Sequence, residues 1–268
     1  MIERGRTAGT ADLYVKNARS CGQDPKGLTH RLIAGKLSPN TMRANLAALR
    51  AWALFTEDGA LTKRLSDIRL PPPRRVQVKI PLERPDLKRL IQHLQTAAMN
   101  EAKRLVLLIM ALRGLRSGDV LRIRRAQVLA ALVSGRLVYE GKGRKRMEID
   151  AAPIRPQLEA LAAYPSRWSQ VGDLVSTSED PRTVSRMILK AAKSAGKAAG
   201  IPDLYPHRLR RTFATRYLEK LAGDPNALVK LQRYMGWESL STAARYVDSV
   251  SQDELEAIGA GLISGLLD

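Results

Sequence analysis

Cysteine is almost absent from this chain: Cys21 is the sole one in 268 residues. A single thiol excludes an internal disulfide and fits a reducing compartment such as the cytoplasm. Histidine is nearly as rare. His30, His93 and His207 stand far apart, with no CxxC or HExxH spacing anywhere, so no metal centre and no other cofactor is expected. The chain lacks a GxxxxGK[ST] phosphate loop, which removes the usual sign of a nucleotide-driven motor. No long apolar run, signal peptide or segregated basic amphipathic helix is evident, so no membrane partner is expected. Acidic residues are outnumbered, 26 against 45 basic ones.

That imbalance leaves a formal net charge of +19. An excess of this size implies a polyanionic partner, nucleic acid first, because each neutralised phosphate releases counterions. Charge alone leaves a ribosome-like or simply basic protein open. The expected location is the cytoplasm, at the nucleoid or other DNA. With 44% hydrophobic residues the chain can bury a real core, and its length fits two modest domains.

Residues up to about Ile68 read as mostly helical. The clearest helix opens at Ser38-Pro39 and runs through NTMRANLAALRAWALF, with Leu46, Leu49, Ala53 and Leu54 on one apolar stripe. Arg43 and Arg50 fall away from that stripe and are assigned to DNA. The stretch RLPPPRRVQVKIPLERPD follows, rich in proline and basic residues and without helical period. It reads as a linker, whose Arg74 and Arg75 either face solvent or lie along a phosphate backbone. Helical patterns resume with PDLKRLIQHLQTAA and EAKRLVLLIMALRGL. RLVYE and RMEID then flank GKGRK as a two-stranded hairpin with a Gly-rich basic tip. Further helices are expected over 182–199, 209–221, 227–234 and 241–246, and the tail SQDELEAIGAGLISGLLD reads as a short apolar helix. The fold class expected is therefore mainly α with one small β-hairpin. It comprises a helical domain over 1–70, a linker over 71–84, and an α-rich domain with its tail helix over 85–268.

Four segments of the second domain each offer an unusual polar group. ALRGLRSGDVLRI leads a Leu- and Ile-rich helix to Arg116, with Asp119 three residues on; GKGRKR presents Lys142. In PHRLRRTFAT, His207 and Arg210 stand three apart, so a helical turn faces them the same way. YMGWESLSTAARYVDS places Trp237 and Tyr246 on a small-residue helix. Singly, each has a duller explanation: a helix-end ion pair, a solvated turn lysine, a helix-start histidine, core aromatics. Their order along one chain is what argues against four coincidences.

That order resembles the tyrosine recombinases, or phage-integrase-like recombinases. GLRSGD is similar to their GLRxSE box, GKGRKR to GKGxKxR, PHRLRRTFAT to PHxLRHTFAT and YMGWESLSTAARY to LGHxxxxTTxxY. The match spans about 80 to 250. The helical N-terminal region is consistent with the family's core-binding domain. The resemblance implies a catalytic set of Arg116, Lys142, His207, Arg210, Trp237 and Tyr246, with Asp119 in support and Arg144 and Lys145 of the hairpin tip on DNA. Trp237 replaces the commoner histidine, Asp119 the usual glutamate, and Ala243 and Ala244 part of the TTxxY run. None of these departures removes a chemically required group.

Opening a phosphodiester without metal requires a nucleophile, charge neutralisation and a proton for the leaving alkoxide. A tyrosine can be the nucleophile, and the covalent phosphotyrosine preserves the bond energy, so ATP is unnecessary. Ionising a free phenol at pH 7 costs about 4 kcal/mol, so Tyr246 needs help, with His207 as base or hydrogen-bond partner. Arg116 and Arg210 can fork onto the non-bridging oxygens. Lys142 can protonate the 5′-oxygen, and Trp237 can donate only its indole N–H. The resemblance thus implies a site-specific recombinase working through a 3′-phosphotyrosyl intermediate. It also implies two domains clamped on a double-stranded recombination site and a homotetramer at synapsis. Docking of the tail on a neighbouring subunit is this reading's own addition, and accessory DNA-bending proteins are left open. A type IB topoisomerase shares the catalytic kit, and a DNA-binding architectural protein with a retired site is the rival from another class.

Overall fold

The computed structural model describes residues 15, 39–70, 80–178, 180–244 and 246. The chain divides into two compact units, Met1–Gln77 and Val78–Asp268. In the first, helix α1 (Pro39–Phe55) and helix α2 (Gly59–Ser66) pack through Leu46, Leu49, Ala53, Leu61 and Leu65. Asp58 starts α2 by accepting from the Leu61 N–H at 2.8 Å, as an N-cap carboxylate should. Leu54, expected on the apolar stripe, is instead 57% exposed. Eight residues at roughly 100° each carry it about 80° past Leu46, off the buried face.

The second unit is built around one helix. After α3 (Arg84–Thr96), α4 (Glu101–Arg113) buries Ala102 and every residue from Leu105 to Ala111. A helix apolar on all sides must be surrounded, and this one packs against α3, α7 (Arg155–Ala162), α9 (Pro181–Ala198) and α10 (Pro206–Lys220). Short helices α5 (Ser117–Leu121) and α8 (Val171–Val175) close on it as well. Between them lie α6 (Arg125–Ser134) and an antiparallel hairpin of β1 (Arg136–Glu140) and β2 (Arg146–Asp150), the strands expected from RLVYE and RMEID. Its register pairs Leu137 with Ile149 and Tyr139 with Met147. Leu137, Tyr139 and Ile149 are buried, so one face of the hairpin joins the core.

A second, smaller core lies behind α10. Ala214 and Leu218 meet Ala227, Leu231 and Met235 of α11 (Ala227–Met235) and Ala243 of α12 (Leu240–Ala244). The residues leading into α3 are fastened to α10. Arg208 Nε donates to the Ile80 carbonyl at 3.1 Å, the Leu82 N–H to Thr212 Oγ1 at 2.8 Å, and Arg216 Nη2 to the Leu82 carbonyl at 2.8 Å. Arg84 and Arg216 both pair with Glu219. Positions 208, 212, 216 and 219 share one face of α10. The last residues of the expected 71–84 linker are thus part of this unit, because Leu82 is an apolar side chain with no exposed surface.

Candidate active site

Arg116 owes its place to the end of α4. Gly114 stops that helix at φ +66°, and a Cβ there would stand 2.4 Å from Cδ1 of Phe213 on α10. Only glycine allows both the left-handed turn and so close an approach. The chain then turns through buried Leu115 to Arg116, the residue preceding α5. Asp119 is 3% exposed and takes its short contact from Arg122, at 2.8 Å; Arg116 reaches it only at 3.5 Å. That loose contact leaves Arg116 most of its donors.

On α10, Pro206 opens the helix and sets His207 and Arg210 one turn apart. Arg210 is 3% exposed. Its Nη1 donates to the Gly114 carbonyl at 2.7 Å and its Nη2 to the Met235 carbonyl at 2.8 Å. These oxygens close the C-termini of α4 and α11, where helix dipoles are negative. Burial, and then the charge of Arg116, pull the Arg210 pKa down to about 10, so it stays cationic at neutral pH. His207 is exposed, yet partial desolvation lowers its pKa, followed by the charges of Arg210 and Arg116. Met110, Arg116, Ser117, Pro206, His207 and Arg210 line one small pocket. Its two arginines make it a basic depression that attracts an anion.

Trp237 and Tyr246 adjoin it. Gly236 ends α11 at φ +64°, and Trp237 follows. The Trp237 and Tyr246 rings stack with centroids 4.8 Å apart and planes at 20°. The Arg210 guanidinium carbon is 5.7 Å from the Trp237 centroid, and that of Arg211 is 5.3 Å from the Tyr246 centroid. Met147 of β2 packs against Gly236, and Lys145 pairs with Glu238 at 3.3 Å, so the hairpin is docked beside this loop. Lys142 is exposed at the hairpin tip and does not line the pocket. Arg144 next to it is exposed with φ +60°. In the first unit, Arg43 is half-buried and Arg50 donates to the Leu65 carbonyl at 2.9 Å. Arg74, Arg75 and the tail lie outside the described residues.

Comparison with known proteins assigns the chain to a family. The model of the phage integrase family matches residues 81–253, most of the chain. The chain belongs to the phage integrase family. One relative in the family is tyrosine recombinase XerC of Staphylococcus saprophyticus, 27% identical over 168 residues, which are 59% of this chain and 54% of that protein. The chain therefore matches about half the length of this relative. Among solved structures, a lambda integrase (residues 75–356) dimer bound to a COC′ core site superposes with TM-score 0.67 at 18% identity, covering 93% of this chain and 92% of that one. A lambda integrase tetramer bound to a Holliday junction gives TM-score 0.63 at 18% identity, covering 91% and 72%. These likenesses establish the shared integrase fold.

Two residues that the integrase boxes did not single out belong to the neighbourhood. Tyr139 of β1 is 5% exposed, and its pKa is pushed up to about 12, by burial first and then by Asp119, against the lowering charges of Arg210, Arg116 and Arg113. It therefore keeps its proton behind the arginines. Arg211 is the other. Neither carried a sequence signal beyond its place beside a box residue.

Proposed function

We propose that this chain is a site-specific DNA recombinase that cuts and rejoins strands through a 3′-phosphotyrosyl bond to Tyr246. The observation that carries this reading is the buried Arg210. Its terminal nitrogens donate to carbonyls, and it shares a small basic pocket with Arg116 and His207 while Trp237 and Tyr246 stack at its side. A scissile phosphate seated there would receive donors from both arginines, fixed before the reaction begins. The Tyr246 oxygen attacks phosphorus, and the bond from phosphorus to the 5′-oxygen breaks. His207, kept neutral by its lowered pKa, takes the phenolic proton. Lys142 supplies a proton to the departing 5′-oxygen when the hairpin tip closes on DNA. Trp237 offers its indole N–H to the phosphate and buttresses the nucleophile. Rejoining runs the same steps backwards with another strand's 5′-hydroxyl, so no outside energy enters.

Double-stranded DNA carrying a recombination site is the partner, engaged by both units. The region 1–70 acts as the core-binding domain, with Arg43 and Arg50 on DNA, and Arg74, Arg75, Arg144 and Lys145 add phosphate contacts. The active assembly is a homotetramer, a reading supported by the lambda integrase tetramer solved on a Holliday junction, and in this proposal the C-terminal tail joins neighbouring subunits. The decisive experiment is Tyr246→Phe on a nicked duplex bearing the inverted-repeat site. Wild type should yield a covalent species on a denaturing gel and Tyr246→Phe none, with DNA affinity nearly unchanged. An adduct that survives the substitution would move the nucleophile to Tyr217 or Tyr234. Tyr234 is poorly suited: burial raises its pKa, its hydroxyl donates to the Arg113 carbonyl at 3.4 Å, and its ring lies 5.3 Å from that of Phe213.

A further inference from the structure

Arg211 follows Arg210 directly on α10, and consecutive helical residues point roughly 100° apart. The two should serve different places, yet both reach one aromatic stack. Arg210 stands 5.7 Å from the Trp237 centroid and Arg211 stands 5.3 Å from the Tyr246 centroid. Tyr246 follows α12, and its N–H reaches the Ala243 carbonyl at 2.9 Å. Two side chains lie against its ring. Trp237 provides a stacked surface, and Arg211 provides a half-buried guanidinium whose Nε is shielded from solvent. A cation beside an aromatic ring binds more strongly when water is excluded.

We propose that Arg211 is a positioning residue for Tyr246, holding the phenol ring against Trp237 so that the nucleophile meets the phosphate from one fixed place. This rests on the reading of Tyr246 as the nucleophile. Arg211 acts through the ring, which distinguishes it from the phosphate-binding Arg116 and Arg210 and from a surface arginine that merely contacts DNA.

Two measurements on the full-length chain test this. The first needs no DNA: near-UV circular dichroism, taken as the difference from Trp237→Phe, isolates the signal of the stacked Trp237–Tyr246 pair. Arg211→Gln should lose most of that signal, and Arg211→Lys, which keeps a cation, should recover much of it. The second is the single-turnover rate of covalent adduct formation beside DNA affinity. Arg211→Gln should slow the rate roughly threefold to thirtyfold, the range of a partly desolvated cation–π contact, with affinity changed less than the rate. Arg211→Lys should again lie between. An unchanged dichroism signal in Arg211→Gln overturns the proposal, as does a loss of affinity with a flatter salt dependence at an unchanged rate. Should Arg211→Gln fail to fold, a lysine variant with wild-type melting but a lost stack signal would equally count against it. If wild type forms no Tyr246 adduct, the recombinase reading falls, and the dichroism alone then decides whether Arg211 holds the ring.

Discussion

A guanidinium that is 3% exposed ordinarily faces a carboxylate, and Arg210 donates to two carbonyls instead. Carbonyls at helix ends neutralise a cation only in part, so Arg210 is left electrostatically hungry toward the pocket. The same field acts on His207, whose pKa falls below the ordinary 6.5 through partial desolvation and then through Arg210 and Arg116. The sign matters for the chemistry. The base form of histidine is neutral, so a lowered pKa extends the pH range over which His207 can accept a proton. The acid limb of single-turnover adduct formation should therefore be centred below pH 6.5. His207→Gln should lose roughly 10²- to 10⁴-fold in rate, the usual range for a general base, together with that acid limb. An acid limb centred at or above 6.5 in wild type would remove His207 from the role. Stability moves in the same direction: below 6.5 the unfolded chain takes up this proton before the folded one, so acid weakens the fold.

At the scale of elements, α10 has two working faces. One carries His207 and Arg210 to the pocket; the other, Arg208, Thr212, Arg216 and Glu219, grips Ile80 to Arg84. Thr212 sits at the centre of that grip with no exposed surface, accepting from the Leu82 N–H while donating to the Arg208 carbonyl at 2.9 Å. Thr212→Val keeps the shape but orphans a buried N–H, which costs about 1–3 kcal/mol. Thr212→Ser keeps the hydroxyl and should cost clearly less. Denaturant unfolding of the two variants compares them, and equal losses would mean the hydroxyl contributes nothing. This grip was not legible in the sequence, because it joins backbone atoms to side chains about 130 positions away and leaves no periodic trace. The hairpin was legible strand for strand, since alternation and a Gly-rich tip are local signals. So were the long helices, whose apolar residues repeat over several turns. The five-residue α5 and α8 were not, since one turn cannot show a period, and α6 and α7 were missed as well. At the site, Arg116, His207, Arg210, Trp237 and Tyr246 could be read from their boxes and are found together. Arg211 could not, because its partner Tyr246 is distant in sequence and only folding reveals the contact.

The described residues form three cores, one in the first unit and two in the second, and the chain as a whole is strongly basic. Leu46, Leu49, Ala53, Leu61 and Leu65 close a core within the first unit, and none of the residues fastening Ile80 to Arg84 belongs to it. The second unit should therefore fold alone, provided a cut preserves Leu82 and its partners. Starting a fragment at Val78 does so, whereas starting at Pro85, where the linker was expected to end, would strip Leu82 from the core and free Arg208, Thr212 and Arg216. The fragment from Val78 should melt cooperatively and keep its pocket, and the fragment from Pro85 should be markedly less stable. DNA binding separates the units further. Each phosphate contact contributes roughly −0.9 to the slope of log K against log salt. If the first unit contributes several arginine contacts, the Val78 fragment should bind duplex DNA more weakly and with a slope shallower by about 2 or more. A titration of both proteins between 50 and 200 mM salt, a range over which such contacts separate clearly, reads this directly. Equal slopes would mean that the first unit leaves the phosphates alone, and the core-binding role assigned to it would have to be given up.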